Sequence, residues 1–279
     1  MKALHRLIRS VRSKRPQADV QAPIAPNQPF FAIGDLHGRR DLLEDLVGQI
    51  DDMAPETTIV FVGDYIDRGE DAAGVLGLLR STEFYPRRQT ICLMGNHEHM
   101  LLGFLEDPER NGPVWLRNGG LQTLASFGVG RGQGALQGSR ICGARDELAA
   151  AMGEDLIGWL KARPSHWITG NVAVTHAGAD PRRPIGDQEL RNLIWGHRDF
   201  GAVPRPDGIW VVHGHTIVPA PKIAAGHIAI DTGAYATDRL TAAHVTRDGV
   251  AFLSSEPDPH SENFKASFKS IRKQNPHSR

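Results

Sequence analysis

The sequence has little cysteine and no apolar run long enough for a membrane. The two cysteines, Cys92 and Cys142, cannot form a disulfide framework, and neither belongs to a CxxC pair, which excludes a structural zinc site of thiolates. No apolar run approaches the ~20 residues that span a bilayer. The basic N-terminus lacks the unbroken apolar stretch of a secretory signal. We therefore expect a cytoplasmic protein.

An excess of either charge is also missing. The 279 residues contain 32 basic and 32 acidic side chains, so a protein dedicated to binding nucleic acid is not expected. The basic residues are concentrated at the ends: the first fifteen residues hold six and no acid, and residues 261–279 hold five against one acid. Without these ends, the chain has ten more acidic than basic groups. The pattern predicts an acidic body between two basic tails.

The N-terminal segment combines a helical pattern with a proline-rich linker. Residues 1–15 predict a short amphipathic helix, with apolar side chains at Leu4, Leu7, Ile8 and Val11. Such a helix either makes weak contact with an anionic membrane or remains a solvated tail. The prolines that follow predict an extended linker. We therefore expect a basic tail and linker, a globular domain and a polar basic tail at residues 1–29, 30–254 and 255–279.

The globular part alternates strand and helix patterns. The first three β-rich apolar runs are at residues 30–33, 58–62 and 90–94. Amphipathic helical patterns lie between them at residues 41–50 and 72–79, so parallel βαβ units are expected.

Strand patterns also occupy the C-terminal part of the domain. After an apolar run at 172–175, four short patterns predict a second sheet closed by antiparallel pairs, at 210–212, 227–230, 240–245 and 250–253. Residues 100–165 are helical and interrupted by glycine, which predicts a cap insertion over one end of the sheet. The predicted fold is an α/β sandwich of two sheets flanked by helices, with a helical cap.

Polar motifs follow the first three predicted strands. They are Gly34-Asp35-Leu36-His37-Gly38, Gly63-Asp64-Tyr65-Ile66-Asp67-Arg68-Gly69 and Gly95-Asn96-His97-Glu98. Two further histidines, His176 and His215, follow later strands. Since ligands gather at the carboxyl ends of strands in α/β sheets, these side chains are expected to converge.

The converging side chains have the chemistry of a metal centre. Carboxylate, imidazole and amide donors suit Mn, Fe, Zn or similar ions rather than a thiolate-type site. Several acids can share a buried site only with cations that keep them ionised. Two ions about 3.5–4 Å apart would clamp a phosphoryl group and deprotonate a bridging water. The sequence therefore predicts two divalent ions, with Mn(II) as the first choice and Fe or Zn as alternatives.

Taken together, the three motifs resemble the phosphoprotein phosphatase (PPP) group of the calcineurin-like metallophosphoesterases. The resemblance extends over about residues 30–254 and is closest to the compact bacterial and lambda-type serine/threonine protein phosphatases. It implies a two-sheet sandwich with a binuclear metal centre. It also implies in-line attack on phosphorus by a metal-bridging hydroxide.

The resemblance implies a role for each motif residue. Asp64 would bridge the two ions, and the complete set of implied ligands is Asp35, His37, Asp64, Asn96, His176 and His215. His97 would be the general acid, oriented by Asp67. Arg68 and Asn96 would bind the phosphate.

Two positions separate this chain from related subfamilies. Many calcineurin-like nucleases and phosphodiesterases have Gly-His-x-His, whose last histidine adds a metal ligand, but here that position is Ile217, which disfavours a nuclease. The bacterial members usually have Trp-x-Arg after the His-Ala-Gly strand. This chain has Trp195-Gly196-His197-Arg198, so the arginine is displaced by one position. Arg198 is the candidate for the second phosphate-binding residue, with His197 as the alternative.

The expected activity is phosphomonoester hydrolysis by a serine/threonine protein phosphatase acting on phosphoproteins or phosphopeptides. A dinucleoside polyphosphate hydrolase of the symmetrical diadenosine tetraphosphate type would share every metal residue. A non-catalytic metal-binding docking module is a weaker alternative, because it would not need a proton donor such as His97.

The remaining histidines and Cys92 are assigned to structure. His213 either supports a metal-binding histidine or lies in the core. His166, His227 and His244 are expected to be structural. Cys92 lies inside a predicted strand and is expected to be a small buried apolar group.

Overall fold

The computed structural model describes residues 22–81, 87–130 and 139–255. The predicted helix within residues 1–15 and most of the predicted C-terminal tail, from residue 256 onward, lie outside the described residues. Membrane contact through residues 1–15 and the predicted domain boundaries therefore stay predictions. The described end of the linker is held to the domain, since the amide of Asn171 donates to the carbonyl of Pro23 at 2.9 Å.

The described residues form ten strands and eight α-helices. The strands are β1 (Phe30–Ile33), β2 (Thr58–Phe61), β3 (Thr90–Cys92), β4 (His166–Thr169), β5 (Val172–Thr175), β6 (Trp210–His213), β7 (Lys222–Ala224), β8 (His227–Ala229), β9 (Thr241–Thr246) and β10 (Gly249–Ser254). The helices are α1 (Arg40–Met53), α2 (Ala72–Arg80), α3 (Asn96–Glu106), α4 (Pro108–Trp115), α5 (Leu121–Ser126), α6 (Ser139–Lys161), α7 (Leu190–Trp195) and α8 (Ala234–Thr237). None of these helices is both long enough and apolar enough to cross a membrane.

The strands form two five-stranded mixed sheets, which confirms the predicted α/β fold. The first sheet has the order β10-β9-β1-β2-β3, and the second has the order β4-β5-β6-β8-β7. Strands β1, β2 and β3 run parallel, as the βαβ pattern predicts. Strands β5, β6 and β8 are parallel as well.

Alternating side chains on β1 explain how the sheets pack. Phe30 and Ala32 belong to an apolar cluster between the sheets, where the ring of Phe30 meets that of Trp167 on β4 at 5.0 Å. Phe31 and Ile33 belong to a second cluster, on the side covered by helices. Successive side chains of a strand point to opposite faces, so a strand buried on both faces is apolar throughout. This burial is why β1 has the continuous apolar pattern of a central strand.

The last two strands correct the prediction for the second sheet. Strands β9 and β10 join the first sheet, where β9 pairs antiparallel with β1, rather than closing the second sheet. The second sheet is instead completed by β4 and β7, which were not predicted. Both are edge strands in which every side chain except that of Thr169 is half-exposed or exposed, so neither has a continuous apolar run.

A helical segment between β3 and β4 covers the helix-bearing side of the first sheet. It consists of α3 to α6 with a single π-helical turn at Leu116–Gly120. Trp115 at the end of α4 is fully buried, and its ring packs against that of Phe104 of α3 with 4.5 Å between the ring centres. This packing places Trp115 and the following turn beside the loop after β2.

Candidate active site

The candidate site lies where the carboxyl ends of five strands meet. Asp35, Asp64 and Asn96 follow β1, β2 and β3, and His176 and His215 follow β5 and β6. Strands of both sheets therefore deliver donor side chains to one place. The predicted convergence of these five motifs is found in the structure.

The first group of donors contains His37, Asp64 and His97. One donor atom from each lies within 4.8 Å of the others. The Nε2 atoms of His37 and His97 lie 3.6 and 3.8 Å from Oδ2 of Asp64. All three residues are buried.

The second group contains Asp64, His176 and His215, and Asn96 lies at its centre. Nε2 of His176 lies 3.3 Å from Oδ1 of Asp64. Oδ1 of Asn96 lies 2.8 Å from Nε2 of His176 and 2.9 Å from Nδ1 of His215. Asp64 is therefore shared by both groups, one carboxylate oxygen facing each, which is the placement that a bridging ligand requires.

Asp35 lies beside these groups but belongs to neither. Its carboxylate accepts the backbone N–H of His215 at 3.0 Å. Burial, together with the charges of Asp231 and Asp64, raises its pKa well above the usual value. A cation in this place would relieve that repulsion, which is compatible with the ligand role predicted for Asp35. Asp231, which is not among the predicted site residues, is a further carboxylate of this region.

The protonation states of the donors suit a metal. Burial is the largest effect on His37 and His176 and lowers their pKa values to about 3 and about 4. For Asp64, burial opposes ionisation, but the nearby histidines outweigh it and hold the pKa below the usual range. Neutral imidazoles around an ionised carboxylate are the forms in which these side chains bind metals. The donor set therefore fits two divalent ions.

Hydrogen bonds on the outer nitrogens fix two of these rings. Nδ1 of His37 lies 2.8 Å from the carbonyl of Ile66, and Nδ1 of His176 lies 3.2 Å from the carbonyl of Val62. When Nδ1–H donates to a carbonyl, Nε2 presents its lone pair to the site. The carbonyls thus select the tautomer that a metal ligand needs.

Glu98 supports the loop after β2, a role that the motifs did not predict. Its buried carboxylate accepts the backbone N–H groups of Asp64 at 2.9 Å, Tyr65 at 2.7 Å and Gly95 at 3.1 Å. Asp64 has a φ of 53°, in the left-handed region that costs energy for a residue with a side chain. Three hydrogen bonds to the carboxyl group of Glu98 hold this conformation. In the sequence, only the position of Glu98 two residues after Asn96 indicates this supporting role.

Gly95 permits the close approach of the two loops. A Cβ at this position would lie 2.3 Å from both the backbone nitrogen and Oδ1 of Asp64. Any side chain would therefore push Asp64 away from the donors. The position before Asn96 therefore requires a glycine for steric reasons.

His97 is paired with Asp67, and the helical segment holds that pair. Nδ1 of His97 lies 2.6 Å from Oδ2 of Asp67. The indole N–H of Trp115 donates to the same carboxylate at 3.0 Å, and the hydroxyl of Thr123 donates to it at 2.6 Å. Burial favours neutral His97, but the carboxylates of Asp64 and Asp67 outweigh it and raise the pKa of His97. His97 is thus the histidine of the site that holds a proton most strongly, as a general acid must.

Arg68 lies at the edge of the first donor group. Its guanidinium is 4.8 Å from the centre of the Tyr235 ring, and that ring meets His37 at 5.2 Å. Its backbone N–H donates to the carbonyl of Gly119, which approaches so closely that a Cβ on Gly119 would lie 2.6 Å from that nitrogen. Within the described ranges, no carboxylate pairs with Arg68. Its charge is free to meet an anion.

Arg198 is not brought to the site. Its side chain is 89% exposed, and its Nε lies 3.9 Å from Asp199, with which it shares a surface turn. His197 faces Asp180 at 4.0 Å and is also away from the donors. The predicted second phosphate-binding position is therefore not formed by either residue in this structure. The displacement of the arginine by one position turns its side chain to solvent.

The histidines assigned to structure are placed elsewhere. His213 is buried against Phe200, and its Nδ1 lies 3.0 Å from the carbonyl of Gly214. His244 stacks on Phe31 at 4.4 Å, on the far side of β1 from the second sheet. Cys92 is buried in β3.

Known proteins with similar sequences and folds agree with this geometry. A family model described as calcineurin-like phosphoesterase matches residues 28–219. The chain is 30% identical over 155 residues to a symmetrical bis(5'-nucleosyl)-tetraphosphatase of Janthinobacterium sp. (strain Marseille), covering 54% of this chain and 44% of the relative. It is 34% identical over 91 residues to serine/threonine-protein phosphatase 2 of Escherichia coli (strain K12), covering 33% and 38% of the two chains. The matches thus span less than half the length of these two relatives.

A solved structure shares the fold over most of the chain. A crystal structure provisionally named as a diadenosine tetraphosphatase has a TM-score of 0.58 at 20% identity and covers 83% of this chain and 96% of its own. This likeness supports the fold, and the family match supports a divalent-metal hydrolase of phosphate esters. The family resemblance of the three motifs is therefore confirmed: the chain belongs to the calcineurin-like phosphoesterase family.

Proposed function

We propose that this protein is a serine/threonine protein phosphatase that uses two divalent ions, with Mn(II) as the first choice. The observation that carries the proposal is the placement of His97, paired with Asp67, beside two donor groups that share Asp64. A docking module would need the metal ligands but not a proton donor. The pair therefore favours catalysis over binding alone.

The first ion would be held by Asp35 and His37, and the second by Asn96, His176 and His215, with Asp64 between them. When bound, such ions polarise the phosphoryl oxygens and lower the pKa of a coordinated water. The protein's own part is to hold these donors before substrate arrives. Glu98 and the carbonyls behind the histidines perform this task.

The remaining residues act on the substrate. Arg68, without a carboxylate partner in the described part of the chain, would bind an equatorial phosphoryl oxygen. His97 would donate the proton on Nε2 to the leaving serine or threonine oxygen. Asp67 accepts the hydrogen bond from Nδ1 and stabilises the charged ring before the transfer.

The position of Arg68 beside the first donor group, where the described residues provide no other unpaired cation, favours a phosphopeptide over a dinucleoside polyphosphate. A dinucleoside polyphosphate needs cations for phosphates beyond the one under attack. Four arginines of the helical segment are candidates for that role. Arg145 is paired with Asp146 at 2.6 Å, Arg117 and Arg140 are exposed, and Arg131 lies outside the described residues. A phosphopeptide needs one phosphate site, and Arg68 provides it.

The dinucleoside polyphosphate alternative rests on the names of relatives. Both the Janthinobacterium relative and the provisionally named crystal structure are called tetraphosphatases. The shared metal donors do not separate the two activities. A direct comparison of substrates separates them.

The test measures kcat/KM for a phosphothreonine peptide and for diadenosine tetraphosphate on one manganese-loaded preparation. We expect the phosphopeptide to be preferred. A preference for the dinucleotide of tenfold or more, about 1.4 kcal/mol of transition-state stabilisation, would overturn the proposal. Activity on neither substrate, with two ions bound, would favour the docking module.

A further inference from the structure

A cavity of about 640 Å³ extends from the candidate site along the side of the first donor group. Arg68 and Tyr235 form its inner wall, and Tyr235 contacts His37. The outer wall comes from the first residues of α1 and the loop before α2. A group attached to a phosphate held by Arg68 can therefore enter this cavity. We call it the Arg68 cavity.

The wall of the Arg68 cavity contains more negative than positive groups. Its wall contains three guanidiniums and five carboxylates, a net charge of minus two at neutral pH. Each outer guanidinium contacts two carboxylates: Arg39 contacts Asp41 at 2.6 Å and Asp238 at 2.5 Å, and Arg40 contacts Glu44 at 3.0 Å and Asp71 at 3.8 Å. Neither outer arginine is available to an incoming anion without losing these partners.

The carboxylates remain accessible although they are paired. The side chains of Asp238 and Asp41 are 76% and 63% exposed. Glu70, directly before Asp71, is exposed as well, and we find no cation paired with it in the described ranges. A cation entering the cavity would therefore meet negative groups that water already reaches, at little desolvation cost.

From this asymmetry, and resting on the proposed phosphatase function, we propose that the Arg68 cavity binds the peptide segment next to the phosphoresidue and selects a basic side chain there. Arg68 is the single cation of the wall that is free for the phosphoryl group itself. A lysine or arginine beside the phosphoresidue would lie near Glu70 and the outer carboxylates. A polyphosphate chain or an acidic residue in the same place would be repelled by the net negative wall.

The test uses two phosphothreonine peptides that differ at one position next to the phosphoresidue, lysine in one and glutamate in the other. The measured quantity is the ratio of their kcat/KM values. We expect the wild-type protein to prefer the lysine peptide by about fivefold or more at low salt, and the preference to shrink at about 0.5 M salt because solvent-exposed charges are screened.

Variants then locate the selectivity. Glu70→Lys should bring the ratio close to one, and Asp238→Asn should lower it by a smaller factor, each ratio being internal to one preparation. The matched control is Glu154→Lys, an exposed glutamate on α6 outside the cavity wall, which should keep the wild-type ratio.

Three results would overturn the inference, and they differ in what they leave standing. Cleavage of both peptides at equal kcat/KM would contradict the selectivity and leave the phosphatase function standing. Hydrolysis of an aryl phosphate without cleavage of either peptide would overturn the protein-phosphatase function, and the inference with it. A wild-type ratio that Glu70→Lys and Asp238→Asn leave unchanged would place the selectivity elsewhere.

Discussion

His97 and His176 are both buried, and each faces one oxygen of Asp64, yet their pKa values move in opposite directions. Burial lowers both. For His176 it dominates and brings the pKa to about 4, whereas for His97 the carboxylates of Asp64 and Asp67 outweigh it. The two histidines differ in the partner of Nδ1: in His176 it faces a carbonyl, and in His97 it faces a carboxylate.

This comparison explains how one site separates two chemical roles. A neutral imidazole is a metal ligand, and a protonated imidazole is an acid. The helical segment makes the distinction, since Trp115 and Thr123 hold the Asp67 carboxylate in place. In the proposed mechanism, most of the metal donors therefore follow strands, whereas the proton donor depends on the helical segment.

Removing the carboxylate of Asp64, which both donor groups share, should impair both groups. Asp64→Asn weakens the interaction with both ions, so we expect a loss in kcat of about 10⁴-fold or more, since metal ions supply several kcal/mol of stabilisation. Metal analysis of the purified variant should show fewer ions per chain than the wild type. Wild-type activity in this variant would contradict the bridging role.

Removing only the proton donor, His97, should leave metal binding intact. His97→Asn should keep two ions per chain and lose about 10²–10⁴ in kcat, the usual scale of general acid catalysis. The loss should shrink for an aryl phosphate, because its leaving group needs no proton. Equal losses on alkyl and aryl phosphates would argue against the acid role.

Loosening the support of Asp67 should have a smaller effect. Trp115→Phe deletes the indole N–H that donates to this carboxylate, and a hydrogen bond to a charged group contributes about 1.5–3 kcal/mol, so a loss of up to about 10–150-fold in kcat is expected. Trp167→Phe is the control, since Trp167 packs on Phe30 away from the pair. Equal losses in kcat for both variants would mean that Trp115 acts through packing alone.

A histidine far from the site should affect stability and not activity. Burial lowers the pKa of His244 to about 4, so between pH 6.5 and 4 the unfolded chain binds more protons, and stability falls as the pH is lowered. His244→Phe should remove up to about 3 kcal/mol of this acid destabilisation. Urea unfolding of both proteins in chelator from pH 7 to 4.5 measures the difference. Parallel pH dependences for the two proteins would contradict the shift.

Much of the site could be predicted because its residues follow continuous apolar strands. Asp35, Asp64 and Asn96 follow β1, β2 and β3 within a few residues, and the burial of β1 and β2 on both faces makes these strands visible in the sequence. Parallel strands bring their carboxyl ends together, so convergence follows from strand order alone.

The rest depends on contacts between distant parts of the chain. Trp115 lies 48 residues from Asp67, and no local pattern indicates that its indole reaches that carboxylate. The Arg198 side chain is exposed because of the turn in which it lies. Strand β9 belongs to the first sheet because it pairs with β1. In each case tertiary packing, rather than local propensity, decides the outcome.

The most direct test of the account combines metal content with activity in the wild-type protein. Chelator-treated protein should lose hydrolysis of both phosphopeptide and aryl phosphate, and activity should return as Mn(II) is added until two ions are bound per chain. Recovery that is complete with a single bound ion would contradict the two-ion site. Full activity in rigorously metal-free protein would contradict the account as a whole.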